Sequence, residues 1–263
     1  MTISEEILNR KGATKLDLVT EDIKNLLNQG LIASVNLTEW LCVDHKLLIR
    51  NVLPKEYHEA CIYAIDNLKQ VTAMKSIPAV ANVLSTLNVN VSSAFFNNLS
   101  NHPSDSVRCW ASYIVGIDEI PISSKLEVIK KFAADDNFGV REISWMAVRS
   151  DIDAHLEEAI IILAEWTGDP NVNIRRFASE ATRPRGVWCK HIEKLKESPE
   201  LGLPILEPLK SDGEKYVRDS VANWLNDAGK TQPDFVRHIC ARWDKESPTK
   251  ETSYVLKKAL RSL

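Results

Sequence analysis

The side chains best suited to chemistry are concentrated in one stretch near the middle of the chain, IRRFASEATRPRGVW, residues 174–188. It holds four arginines within eleven residues, in a chain whose formal net charge is −3, together with the carboxylate of Glu180 and the indole of Trp188. Guanidinium groups bind carboxylates and phosphates in similar geometries, so these arginines can either pair within the fold or bind a polyanion. Which of the two they do depends on the elements that position them.

The overall charge excludes a basic coat over the whole surface. The chain has 33 basic and 36 acidic residues among 263, so a nucleic-acid surface has to be a local patch. The longest apolar run, AIIILA, is too short to span a bilayer. Five scattered cysteines without a C-x-x-C pair indicate neither a disulfide framework nor a zinc site. We therefore expect a cytoplasmic monomer that needs no metal or cofactor and has no contact with a membrane.

Four gapless repeats organise the second half of the chain. Each begins with a large apolar residue and ends nine residues later on an arginine, and the segments are LSNHPSDSVR (99–108), FAADDNFGVR (132–141), WTGDPNVNIR (166–175) and LKSDGEKYVR (209–218). Arginine spacings of 33, 34 and 43 residues suit two helices and a turn per repeat. The sequence therefore predicts an all-α fold that resembles HEAT-like repeats, a right-handed α-α superhelix (solenoid), with the handedness taken from that resemblance.

The repeats also indicate how the chain is organised along its length. Residues 96–263 carry the HEAT-like repeats and the predicted binding face. A fifth repeat begins at Trp243 and lacks its arginine, as terminal repeats often do. Residues 1–95 are less regular but carry apolar positions at helical spacing, so we expect them to form the N-terminal helices of the same superhelix.

The columns of the repeat separate packing positions from candidate binding positions. Positions two, three and six after each arginine are mostly apolar and share one helical face, so they are predicted to form the core. Together with the first residues of the repeats, the predicted buried set includes Trp110, Ile143, Trp166, Phe177 and Leu209. In three repeats an aspartate stands six residues before the arginine, and we expect these residues to form a structural Asp–Arg ladder.

A second helical face, at positions one, five and eight after each arginine, is polar and differs from repeat to repeat. Arg176 and Arg183 belong to it, and Arg185 follows Pro184 in an exposed turn, because a residue before proline disfavours helix. Cations at a helix C-terminus can simply offset the helix dipole, but one would suffice for that. The excess predicts one anion-binding surface formed by Arg149, Arg176, Arg183, Arg185 and Lys190.

Two tryptophans do not fit the apolar columns. Trp145 occupies a column of small residues, and Trp188 lies beyond the turn, beside the arginines. Each can stack on a nucleobase or pack against protein, and the sequence leaves both alternatives open.

The stretch RRFASEATRPRGVW resembles the R-R-x-x-S-E-x-T-R-P-R-x-x-W stretch of the AlkC branch of the AlkC/AlkD DNA alkylation-repair glycosylases, and YVRDSVANWLND (216–227) is similar to that branch too. The resemblance extends from about residue 96 to about residue 245. It implies an enzyme that excises cationic N-alkylated purines, notably 3-methyladenine, from double-stranded DNA. It also implies that Glu180 is an active-site carboxylate and Trp188 the aromatic at the lesion. The DNA contacts it implies are Arg176, Arg183 and Arg185.

One departure from the resemblance bears on activity. A glutamate regarded as catalytic in that branch corresponds here to Asn137, which cannot supply a full negative charge, so Asp136 or Glu142 would have to compensate. The catalytic candidates are therefore Glu180, Asp136 and Trp188, and Trp145 joins the five basic residues as a candidate for DNA binding. Three functions remain open: a glycosylase, a catalytically silent scaffold that binds DNA or a protein, and a pure protein-interaction solenoid without net positive potential on its concave face.

Overall fold

The computed structural model describes residues 3–186 and 188–263, and the regular structure in these residues is entirely helical. No strand occurs in this part of the chain, so the predicted all-α class is confirmed. The chain divides into two compact units, unit 1 with residues 1–119 and 135–147, and unit 2 with residues 120–134 and 148–263. The predicted boundary between residues 95 and 96 marks where the sequence repeats begin, and the two units are defined by compactness instead. That boundary therefore stays a prediction.

Unit 1 begins with short helices and ends with longer ones. Polar side chains fix several helix starts: Asp44 accepts the backbone N–H groups of Lys46 and Leu47, and Ser93 accepts that of Phe96. A 3-10 turn covers Leu16–Leu18. The helices are α1 (Glu5–Leu8), α2 (Glu21–Asn28), α3 (Leu37–Leu41), α4 (His45–Val52), α5 (Lys55–Asp66), α6 (Ala73–Thr86), α7 (Ala94–Ser100) and α8 (Asp105–Ile117).

Unit 2 contains the remaining helices. They are α9 (Ile122–Ala133), α10 (Phe138–Ala154), α11 (Leu156–Trp166), α12 (Val172–Ala181), α13 (Glu193–Glu197), α14 (Leu203–Leu209), α15 (Lys215–Gly229), α16 (Pro233–Glu246) and α17 (Lys250–Ala259), of which α10 begins in unit 1. Two 3-10 turns, Pro199–Gly202 and Leu260–Ser262, lie between or after these helices. Helix α15 packs against both α12 and α17, which places it at the centre of the unit.

The predicted arginine ladder is present in each unit. In unit 1, Arg108 donates Nη1 to the two carbonyls five and six residues before it, and Nε and Nη2 to the carboxylate of Asp135 in the next repeat, at 2.7 and 3.0 Å. In unit 2, Arg175 makes the same contacts to its own turn and pairs with Asp212 at 2.7 and 3.2 Å. Each arginine closes its own turn and ties that turn to the following repeat.

The ladder ends differently in the last repeat. Arg218 again donates Nη1 to the carbonyls five and six residues before it, but its guanidinium lies 5.5 Å from the centroid of the Tyr254 ring on α17. The predicted fifth repeat is the helix pair α16 and α17, and Thr252 is buried where an arginine would stand. An aromatic ring thus takes the place of an aspartate at the end of the ladder.

The predicted core residues are buried in both units. Trp110 and Ile143 lie in the core of unit 1, and Trp166, Phe177 and Leu209 in that of unit 2. The ring centroids of Trp166 and Phe177 are 5.3 Å apart. In the described part of the chain, no helix has the length and apolar character needed to cross a membrane.

Candidate functional site

The arginine-rich stretch forms α12 and the turn after it, within unit 2. Asn171 caps α12, its side chain accepting the backbone N–H two residues later. The adjacent residues Arg175 and Arg176 of this helix have different surroundings. Arg175 pairs with Asp212, whereas the guanidinium of Arg176 lies 4.3 Å from the centroid of the Tyr216 ring.

Glu180 lies in a buried ionic cluster at the end of α12. Its side chain accepts hydrogen bonds from Nη1 of Arg183 at 2.7 Å and from the hydroxyl of Ser220 at 2.7 Å. Nη2 of Arg176 lies 3.6 Å from its Oε2. Glu180 is only 4% exposed, so its contacts are with protein groups and not with bulk water.

The cluster includes a second carboxylate, Asp227 on α15. It accepts Nε and Nη2 of Arg183 at 2.9 and 2.7 Å, and Nζ of Lys230 lies 3.0 Å away. Sequence reasoning missed Asp227, which stands nine residues after Arg218 and so one position beyond the face considered. The signal that was available is the stretch YVRDSVANWLND, which ends on this aspartate.

The guanidinium group of Arg183 and the carboxylate of Glu180 stabilise each other's charge in low-dielectric surroundings. Burial alone raises the pKa of Glu180, but Arg176 and Arg183, with the hydrogen bonds from Arg183 and Ser220, outweigh it and leave the pKa below its usual range. Burial lowers the pKa of Arg183, and Glu180 and Asp227 more than reverse that effect. Glu180 and Arg183 are therefore both charged at neutral pH.

This arrangement corrects the predicted roles of two arginines. Arg176 and Arg183 were expected to form part of an open anion-binding surface, but both are largely buried and both lie against Glu180. Arg183 uses all three guanidinium nitrogens on the carboxylates of Glu180 and Asp227. Their positive charges balance acidic residues of the fold.

Arg149 is also turned inward. It is 3% exposed and donates hydrogen bonds to the backbone carbonyls of Ala181, Arg183 and Lys190. This burial contradicts the prediction that Arg149 belongs to an exposed basic surface. The guanidinium binds the turn itself.

The turn after α12 presents the remaining predicted site residues of this stretch. Arg185 is partly exposed and Lys190 is exposed. Trp188 is 85% exposed, and its backbone has a φ of +64°, in the left-handed region that non-glycine residues rarely occupy. Of the predicted basic surface, Lys190 is thus exposed and Arg185 partly exposed, beside an exposed indole.

The other candidates lie in unit 1. Trp145 is 2% exposed, and its Nε1 donates to Oε2 of Glu142 at 3.0 Å. Burial contradicts the prediction that Trp145 contacts DNA and supports the packing alternative. Asp136 is exposed, and its backbone carbonyl accepts Nη1 of Arg141.

Asn137 has a structural task at the position where the family resemblance implies a catalytic glutamate. Its Oδ1 accepts the backbone N–H of Gly139 at 2.7 Å, and its Nδ2 donates to the carbonyl of Ser34 at 2.7 Å. Its own N–H donates to Asp135 at 2.8 Å. The amide of Asn137 thus starts α10 and ties it to the N-terminal part of unit 1, which a carboxylate could not do because it has no donor.

The described residues contain no group of three or more His, Cys, Asp or Glu side chains placed to hold a metal ion. The carboxylates of the site are bound by arginine, lysine and serine donors instead.

A model of the family described as DNA alkylation repair enzymes matches residues 147–263. The Bacillus subtilis protein YhaZ, described as uncharacterized, is 41% identical over 128 residues, which are 49% of this chain and 35% of that protein. This chain therefore spans about a third of the length of YhaZ.

Two solved structures have a similar fold. Pseudomonas fluorescens alkylpurine DNA glycosylase AlkC, bound to DNA containing an abasic site analog, matches with a TM-score of 0.67 and 22% identity over 95% of this chain and 65% of AlkC. Streptococcus mutans AlkD2 matches with a TM-score of 0.60 and 24% identity over 80% of this chain and 98% of AlkD2. The resemblance found in the sequence is thus confirmed by the match of residues 147–263 to this family model and by the fold shared with AlkC and AlkD2.

Proposed function

We propose that this chain, whose residues 147–263 match the model of the DNA alkylation repair enzyme family, binds duplex DNA and hydrolyses the N-glycosidic bond of cationic N-alkylated purines such as 3-methyladenine. The observation that carries the proposal is the pair of carboxyl groups of Glu180 and Asp227, both bound by the guanidinium of Arg183 at the base of a turn that exposes Trp188. AlkC, which has a similar fold, is an alkylpurine DNA glycosylase.

The chemistry suits these groups. Breaking the glycosidic bond builds positive charge on the deoxyribose, and fixed carboxylates stabilise such charge and can orient the attacking water. Glu180 and Asp227 need no reorganisation for this task, because Arg183 and Ser220 already fix their oxygens. The electron-rich face of Trp188 attracts a cationic base more strongly than a neutral one. This difference would favour alkylated over normal purines.

Duplex binding in this proposal is carried by few charges. On the turn, Lys190 is exposed and Arg185 partly exposed, and Lys230 adds a half-exposed ammonium beside Asp227. Each phosphate contact releases counterions, so binding should weaken steadily as salt is added. Asp136 stays a proposed contributor of negative charge, with its carboxylate exposed in unit 1.

A specific observation favours a second function, that of a catalytically silent scaffold that binds DNA. Asn137 stands where the resemblance implies a catalytic glutamate, and its amide is used to hold Ser34 and Gly139. On this alternative the carboxylate cluster stabilises the fold and the turn still binds DNA.

The experiment that separates these functions is incubation of the protein with methylated duplex DNA, followed by chromatography of the released bases against a protein-free blank. We expect 3-methyladenine above the blank. Salt-dependent duplex binding without any released base would instead establish the scaffold, and Asn137→Glu would then test whether one carboxylate restores release. A protein that neither binds duplex DNA nor releases a base would contradict both functions.

A further inference from the structure

Arg149 lies in the part of α10 that belongs to unit 2, and its guanidinium is bound by the backbone of the turn after α12. Nε donates to the carbonyl of Lys190 at 3.0 Å, Nη1 to that of Ala181 at 2.7 Å, and Nη2 to that of Arg183. Every guanidinium nitrogen therefore has a carbonyl partner. These carbonyls belong to the end of the helix and to both ends of the turn.

The turn is built closely around this cation. A methyl group at Gly186 would lie 3.0 Å from Cζ and Nε of Arg149 and 2.2 Å from Sγ of Cys189, so a larger residue would force one of them to move. The backbone N–H of Ile192 donates to the carbonyl of Pro184 at 3.1 Å and closes the turn from the other side. The path of the backbone is thus fixed both by its own hydrogen bond and by the guanidinium that it surrounds.

The residues that Arg149 holds are linked to the candidate site. The side chain of Arg183 binds Glu180 and Asp227, while its carbonyl is held by Arg149. The carbonyl of Lys190 lies two residues after Trp188, whose backbone is left-handed and whose indole is exposed. A non-glycine residue keeps such a conformation only where its surroundings impose it, and Arg149 supplies contacts on both sides of Trp188.

We propose that Arg149 is a positioning residue for this turn: by binding the carbonyls of Ala181, Arg183 and Lys190, it keeps Arg183 between its two carboxylates and holds Trp188 outward for contact with DNA. What Trp188 contacts rests on the proposed function, whereas the placement of the turn does not. Lysine cannot replace this arginine, because a single ammonium lacks the planar fork that reaches three separate carbonyls. It would leave buried carbonyls unpaired.

The test compares Arg149→Lys with Arg237→Lys, a matched change at an exposed arginine of α16, in protein labelled with 5-fluorotryptophan. Of the seven tryptophan ¹⁹F resonances, Trp188→Phe identifies that of Trp188. In protein without DNA we expect Arg149→Lys to shift or split the Trp188 resonance and Arg237→Lys to leave it unchanged. Duplex affinity of Arg149→Lys should fall about tenfold or more, because the turn no longer presents its contacts in one arrangement.

Further variants keep the inference falsifiable if Arg149→Lys does not fold. Gly186→Ala should perturb the same resonance from the opposite side of the contact, and added guanidinium ion should partly restore the wild-type resonance in Arg149→Ala. An unchanged Trp188 resonance in the folded Arg149 and Gly186 variants would overturn the inference, even if DNA affinity fell, because Arg149 would then act as a direct DNA contact. A shifted resonance in a protein whose wild type binds no DNA would support the positioning role and contradict the proposed function.

Discussion

Glu180 is a buried carboxylate whose charge is stabilised by protein donors. Arg183 and Ser220 hydrogen-bond to its two oxygens, and Arg176 lies nearby. A carboxylate fixed in this way is preorganised for a developing positive charge, since its dipolar surroundings do not have to move during the reaction. The same fixation makes it part of the fold, so the catalytic and structural roles of Glu180 have to be measured together.

The pKa of Glu180 leads to a prediction at the scale of this residue. Because the pKa is lowered in the folded state, ionised Glu180 stabilises the protein above the pKa of the unfolded chain, near 4.5, and this stabilisation is lost as the pH falls through the folded-state pKa. We expect Glu180→Gln to be less stable than wild type by about 3 kcal/mol at pH 7, because it leaves two buried arginines short of a counter-charge. Denaturant unfolding from pH 7 to pH 3 should show this difference shrinking below about pH 4.5. A difference that stays constant to pH 3 would contradict an ionised Glu180.

At the scale of helices and turns, the ladder links consecutive repeats through one aspartate and one arginine at each step. The side chain of Asp212 in this ladder is 6% exposed and binds Arg175 through two hydrogen bonds. We expect Asp212→Asn to cost about 1–3 kcal/mol, because a charge-assisted bond is lost from a partly buried arginine. This corresponds to a fall in Tm of roughly 2–12 °C for a domain of about 150–250 residues. Glu157→Gln, which breaks an exposed pair with Lys194, should leave Tm unchanged in the same thermal melts and serves as the control. Equal losses for the two variants would contradict a structural ladder.

Helix ends explain where the predicted binding face was wrong. The position eight residues after the repeat arginine is occupied by Gly116, Arg149, Arg183 and Asn226. Three of them face neighbouring backbone: Arg149 and Asn226 donate to carbonyls, and a methyl group at Gly116 would lie 2.1 Å from the carbonyl of Ala147. Helical periodicity assigns this position to the polar face of its helix. It does not show that the backbone at the end of another helix packs against this position.

At the scale of the whole molecule, the features that recur from repeat to repeat could be predicted from the sequence, and the charge pairs of the cluster around Glu180 could not. Gapless repeats and their apolar columns predicted the helices and the buried Trp110 and Phe177, because spacing along one helix determines which side chains share a face. The pairing of Arg175 with an aspartate of the next repeat could be predicted because the same Asp and Arg positions recur in each repeat. The partner of Arg183 is Asp227, a residue of another helix 44 positions away, and no local pattern indicates such a contact. The sequence around an arginine that binds phosphate does not differ from that around an arginine paired with a buried carboxylate. The two can be distinguished only when the residues of the facing helix are known.

The measurement that tests the central claim most directly is the single-turnover rate of 3-methyladenine release from methylated duplex DNA by wild type, Glu180→Gln and Asp212→Asn, at a temperature where all three are folded. Both variants convert a buried, arginine-paired carboxylate of unit 2 into an amide, but only Glu180 belongs to the cluster beneath the turn. We expect release by Glu180→Gln to fall at least about tenfold, equivalent to about 1.4 kcal/mol of barrier, and release by Asp212→Asn to stay close to wild type. A wild-type rate in Glu180→Gln, or an equal loss in both variants, would contradict a catalytic role for this cluster.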